Sequence, residues 1–137
     1  MIFVSASSSS QPIDELELLN WGTKIGAAAR SEKVRPTQLE NLIASLDSVS
    51  GREALLATAI FALRQAQRLG GHRTADLVSR ALVDLYERGA GKDHARKMLG
   101  FAKWIYEANI PYRDRIEQLT LLQLLKWYSQ QRQQRTG

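Results

Sequence analysis

The chain has no cysteine and only two histidines, His72 and His94. The first absence removes disulfides and thiolate chemistry and agrees with an intracellular location. The second leaves no metal or nucleophile constellation, because the two imidazoles fall near different helix starts with no evident carboxylate partner. No apolar run reaches the ~18 to 20 residues of a membrane span. The opening "MIFVSASSSS" has neither the basic n-region nor the apolar h-region of a signal peptide. A soluble, cytoplasmic protein with no membrane partner is expected. Acidic side chains are short as well, with 14 Asp plus Glu against 19 Lys plus Arg, a net charge of +5 and a pI near 9.8. That balance favours contact with polyanions, although a merely soluble basic surface has the same composition.

What is present reads as helix after helix. With 137 residues, 44% of them hydrophobic, the chain is long enough for one domain with a real core. The Ser-rich stretch over 1–11 lacks any apolar period and reads as a flexible tail. From Pro12, the residues Ile13, Leu16, Leu18, Leu19 and Ile25 keep a helical period that Gly22 and Gly26 weaken. Thr37 and Glu40 have capping-box spacing ahead of a face of Leu39, Leu42, Ile43 and Leu46, and Ser50 and Glu53 repeat it before the apolar stretch that stops at Gly70-Gly71. In the next helix Val78, Ala81, Leu82 and Leu85 point inward, with Asp76/Arg80 and Asp84/Arg88 as outward i,i+4 pairs. A helix over 92–109 and a last one over about 113–133 complete an all-α, single-domain bundle of about five to six helices. The expected division is a bundle over 12–112 and a helical extension over 113–137.

Catalytic readings fail on their chemistry. A P-loop needs a glycine where Tyr86 stands and a hydroxyl where Asp93 stands, so Gly91-Lys92 is no phosphate cradle. The carboxylates are scattered along helices that already pair several of them with Lys or Arg, which nominates no acid/base pair. No cofactor and no metal are implied, and the chain reads as a non-enzyme. A helix-turn-helix is a weak reading too, since "REALLATAIFALRQ" offers almost no polar groups to base edges.

Charge placement is more informative. On a wheel at 100° per residue, Met98, Phe101, Ala102 and Ile105 oppose a stripe of Lys92, Arg96, Gly100, Lys103 and Glu107. Gly100 would either admit a phosphate backbone or mark tight packing. Trp104 falls on the flank beside Lys97, where packing over a neighbouring helix is the simpler reading than stacking on a base. The helix over 53–69 is apolar nearly all round, as a central helix would be, yet Arg64 and Arg68 share one narrow strip. Arginine presents a planar fork that suits phosphate. The expected RNA contacts are therefore Arg64, Arg68, Lys92, Arg96, Lys97 and Lys103, acting on the backbone without base readout. The last helix carries apolar side chains around more of its circumference than one face absorbs, so Leu121, Leu124, Trp127 and Tyr128 are expected to dock a neighbouring copy or subunit.

The order of these motifs resembles the small helical subunit of type III CRISPR RNA-guided effector complexes. "RPTQLENLI" is similar to the family's threonine-rich helix start through Thr37, Gln38 and Leu39, with Glu40 where the family usually has arginine. "LRQAQRLGG" resembles its "AGR"-like turn and places Arg68 on the family arginine. "ARKMLGFAKWIYEANIPY" resembles its late helix through Arg96, Phe101, Tyr106, Glu107, Ala108 and Tyr112. The resemblance spans about residues 14 to 112. It implies a non-catalytic subunit of an antiviral defence complex, several copies of which line the effector interior. These copies would contact the guide RNA, its bound target RNA and the backbone-forming subunits, and would self-associate along the complex. The alternative is a protein-interaction or regulatory bundle whose basic surface is incidental.

Overall fold

The computed structural model describes residues 12–136, so the tail expected over 1–11 lies outside the described residues. Six α-helices and one short 3-10 turn follow in order: α1 Glu15–Ser31, α2 Pro36–Ser45, α3 Ala54–Leu69, α4 His72–Glu87, α5 Lys92–Ala108, the 3-10 turn Ile116–Gln118 and α6 Leu121–Thr136. No strand occurs among the described residues, and the helices share one core: the architecture is an all-α, single-domain bundle.

The hub is α1, which packs against α4, α5, the 3-10 turn and α6. Asp14 starts it, its carboxylate accepting the Glu17 N–H at 2.9 Å. The glycines that weaken its helical pattern are its closest contacts. A Cβ on Gly22 would lie 2.8 Å from the Phe101 Cβ, and one on Gly26 would lie 2.5 Å from the Ala102 carbonyl oxygen. The α1 and α5 backbones approach closely enough that only hydrogen fits, and the packing gained there offsets the roughly 1 kcal/mol that each glycine costs a helix.

Two expected capping boxes do not form. Pro36 sets the first turn of α2, so Thr37 lies inside the helix, and Gln38 instead caps it by accepting the Arg35 N–H at 3.1 Å. Ahead of α3, tight turns join Gly51 to Ala54 and Arg52 to Leu55, which leaves Ser50 outside the helix and Glu53 with no side-chain cap bond. The chain at these starts is shaped by Pro36 and Gly51 rather than by hydroxyls.

α3 is not central. It buries Ala54, Leu55, Thr58, Ala59, Ala62, Gln65 and Ala66 and lies along α4 on this mostly small-residue face. Its large residues Leu56, Ile60 and Leu63 are turned outward, Ile60 being 64% exposed. The inward face of α4 is as its period predicts, with Val78, Ala81, Leu82 and Leu85 fully buried.

The segment after Pro111 differs from one continuous helix. Arg115 adopts φ 48°, the 3-10 turn follows, and α6 starts afresh at a box in which Thr120 N–H donates to Gln123 Oε1 at 3.0 Å and Gln123 N–H donates to Thr120 Oγ1 at 3.2 Å. Ile116, Leu119 and Leu124 are buried in the common core, and Asn20 Oδ1 accepts the Leu121 N–H at 2.9 Å. Position 112 is therefore not where the core ends. Leu124 is part of the fold rather than a free docking residue, because the inner face of α6 closes over α1.

Candidate nucleic-acid interface

Two turns meet at one end of the bundle. The α1–α2 turn carries Lys33 at φ 60°, and the α3–α4 turn carries Gly70 and Gly71 at φ 91° and 87°. They touch closely: a Cβ on Gly71 would lie 2.8 Å from Val34 Cγ2. Glu32 joins them, its carboxylate accepting the N–H groups of Arg73 at 3.0 Å and Thr74 at 2.7 Å and the Thr74 hydroxyl at 2.6 Å. That carboxylate is thus spent on the first turn of α4, where the helix dipole favours it.

The cations around this junction are not spent. Lys33, Arg35, Arg68 and Arg73 are exposed, and Arg64 lies one turn back from Arg68 on the same strip of α3. None of the five side chains forms an ion pair among the described residues. Arg64 and Arg68 belong to the expected set. Lys33, Arg35 and Arg73 lie outside it, since only the meeting of two turns about 40 residues apart groups them. The signal for them in the sequence is weak: each borders a helix start or a glycine turn.

The stripe on α5 is arranged differently. Arg96 donates to Asp47 at 2.9 Å, Lys97 pairs with Glu15, and Lys103 lies 3.6 Å from Glu40. Hydrogen bonding from Arg96 and from Lys97 holds the carboxyls of Asp47 and Glu15 below their ordinary range, and Asp47 raises Arg96 in turn. Lys92 is half-buried beside the same Asp47, whose carboxyl also feels its charge. Glu40 thus answers Lys103. Exposed pairs of this kind contribute about 0 to 1 kcal/mol, so a phosphate could replace a carboxylate, but not without competition.

A Cβ added at Gly100 would meet no heavy atom within 4 Å, so this glycine marks open surface and not tight packing. Trp104 is 68% exposed, its ring 5.6 Å from that of Phe101 on the same helix, so most of it faces outward. Tyr106, one of the residues carrying the family resemblance, is buried: its hydroxyl donates to the Val34 carbonyl, and the Arg30 guanidinium lies 4.1 Å over its ring. It locks α5 to the α1–α2 turn.

Of the expected docking residues, Leu121 is half-buried with its N–H donated to Asn20, Leu124 is core, Trp127 forms a T-shaped pair with Tyr112 at 5.3 Å, and Tyr128 is exposed. The outer side of α6 is Leu122, Leu125 and Tyr128. His72 is exposed, and His94 Nδ1 faces the Gly91 N–H at the start of α5. Among the described residues no group of three or more metal-ligating side chains comes together, and no helix is long and apolar enough to cross a membrane. No family model matches this chain, and neither a curated protein nor a solved structure is significantly similar to it.

Proposed function

We propose that this chain is a non-catalytic, RNA-contacting subunit of an RNA-guided assembly, with the type III CRISPR effector as the complex its motif order resembles. The observation that carries the reading is the group of unpaired cations Lys33, Arg35, Arg64, Arg68 and Arg73 around the two-turn end of the bundle. Guanidinium groups without carboxylate partners contact phosphates at no exchange cost, and their arrangement offers no base-reading helix, so binding follows the backbone. Lys92, Arg96, Lys97 and Lys103 form a secondary surface that gains phosphate only by giving up carboxylates. Guide and target RNA are the proposed ligands, held weakly by one copy and firmly by several in a complex.

Filter binding of single-stranded RNA across a salt series tests this. Affinity should fall steeply with salt and show no sequence preference. Arg64→Glu with Arg68→Glu should lower it at least about tenfold with an unchanged helical melt, whereas Arg96→Glu should have a smaller effect. Equal binding by the double variant would sink the proposal.

A second reading, a protein-interaction bundle, draws on the exposed Leu56, Ile60 and Leu63 of α3 and Leu122 and Leu125 of α6. Such apolar surface is what a subunit docked to protein neighbours presents. Association that survives high salt and fails in Ile60→Glu would favour it.

A further inference from the structure

Between the loop after α5 and the first turns of α6 runs a groove of about 400 Å³. Its floor is aromatic: Tyr112 and Trp127 meet edge to face, centroids 5.3 Å apart and planes at 89°. In such a pair the ring that presents its edge keeps its own faces clear of its partner. Gln118 and Gln123 line the same groove. Gln123 Oε1 is engaged by the Thr120 N–H, which orients the amide and leaves its NH2 free to donate. Arg115 and Lys126 also line it, both exposed and without an ion pair among the described residues. Arg115 adopts φ 48°, a conformation uncommon outside glycine, in the loop that lines the groove. Asp114 adds one carboxylate that the two cations outnumber and that can accept from ribose hydroxyls.

We propose that this groove takes a single unstacked nucleobase, the Tyr112–Trp127 pair supplying the stacking face, the Gln118 and Gln123 amides the base-edge hydrogen bonds, and Arg115 and Lys126 the neighbouring phosphate. An aromatic face beside amides and cations is the side-chain set by which proteins hold splayed bases of single strands, with stacking tolerant of base identity and amides adding preference. The site is distinct from the backbone contacts at the two-turn end and needs none of the arginines of α3. Its ligand is a free nucleotide or an unpaired base of an RNA strand, which share this chemistry.

The test uses the full chain with 15N-labelled tryptophan. Its three indole N–H signals report Trp21, Trp104 and Trp127 separately, with Trp127→Phe assigning the last. Titration with AMP and UMP should move the Trp127 signal saturably, whereas ribose 5-phosphate and inorganic phosphate should not. A short single-stranded RNA that moves it at far lower concentration than AMP identifies a strand as the ligand; equal concentrations identify a free nucleotide. Trp127→Leu, read by isothermal titration calorimetry because the reporter indole is gone, should weaken AMP binding on the order of tenfold. Gln118→Ala and Lys126→Glu, both at exposed positions, should weaken it with unchanged melting, Lys126→Glu affecting AMP more than adenosine. Arg64→Glu with Arg68→Glu should leave the AMP shift intact even where it weakens strand binding, so the two sites fail separately. A Trp127 signal that no nucleotide moves, or that ribose 5-phosphate or an arginine-rich peptide moves as much as AMP does, overturns the assignment.

Discussion

Glycine has opposite meanings at two places in this bundle, though both are helix interiors. At Gly26 a methyl would strike the Ala102 carbonyl at 2.5 Å, and backbone cannot step aside as a flexible side chain can. Gly26→Ala should therefore lower stability by about 1 to 3 kcal/mol. At Gly100 a methyl meets nothing within 4 Å, so Gly100→Ala should raise stability by about 1 kcal/mol through helix propensity alone. Urea melts of the two variants check both signs. Charge at the residue scale is tested by Arg88, which donates to both Glu17 oxygens and to Asp84 and lies over the start of α1 through the Pro12 carbonyl. Hydrogen bonding from Arg88 holds the Glu17 carboxyl below its ordinary range. A carboxyl lowered in the folded state contributes stability that is present above the unfolded value of roughly 4.3 and is lost as pH falls through the lowered folded value. Glu17→Gln should thus reduce stability at neutral pH, by about 1 kcal/mol given its partial exposure, and flatten the acid limb below roughly pH 4.3. Thermal melts between pH 2 and 7 measure it.

At the scale of elements, α6 separates into two parts. Its first turn is fastened by the Thr120–Gln123 box, by Asn20 on the Leu121 N–H and by the buried Leu124, while Leu122, Leu125 and Tyr128 face outward. Ending the chain after Tyr112 would strip Ile116, Leu119 and Leu124 from the core. The expected product is an unstable or insoluble protein, since truncating even one such side chain to alanine costs about 2 to 5 kcal/mol. Ending it after Gln130 should leave the fold cooperative, with little change in melting temperature. Expression and calorimetry of the two truncations distinguish a core element from an appended one. α3 shows the converse arrangement. Apart from Leu55 and Gln65 its inward face is alanine and threonine, which brings it close to α4, and Leu56, Ile60 and Leu63 are left on the outside.

Among the described residues, Lys33, Arg35, Arg64, Arg68 and Arg73 gather without ion pairs where the α1–α2 and α3–α4 turns join, Arg115 and Lys126 stand without ion pairs at the groove beside α6, and α5 has three of its basic residues in ion pairs. A net charge of +5 spread evenly would give any polyanion only weak, unoriented attraction, whereas cations grouped on one surface would also orient the bundle on the proposed RNA backbone. Substituting Glu32 by Gln removes the carboxylate that joins the two turns but keeps acceptor capacity for the Thr74 N–H. Glu32→Gln should accordingly strengthen RNA binding at low salt by a few fold, with the gain vanishing at high salt. Binding titrations at two ionic strengths read the difference.

Much of the fold was legible without coordinates. The all-α class, the Gly70-Gly71 stop, the buried faces of α2 and α4 and the i,i+4 pairs Asp76/Arg80 and Asp84/Arg88 all follow from interactions within about one helical turn, which sequence periodicity records directly. Arg64 and Arg68 were readable as a strip for the same reason. Their lack of a partner was not, nor was the neutralisation of Arg96, Lys97 and Lys103, because those pairings join residues 49, 82 or more than 60 positions apart. The same holds for Gly22 and Gly26, whose purpose is the nearness of α5, and for Leu124, whose burial depends on α1. Local rules specify which residues share a helix face. Which faces meet, and therefore which charges remain free for a ligand, is decided by distances across the bundle, since Coulomb interaction and steric contact depend on separation in space and not along the chain.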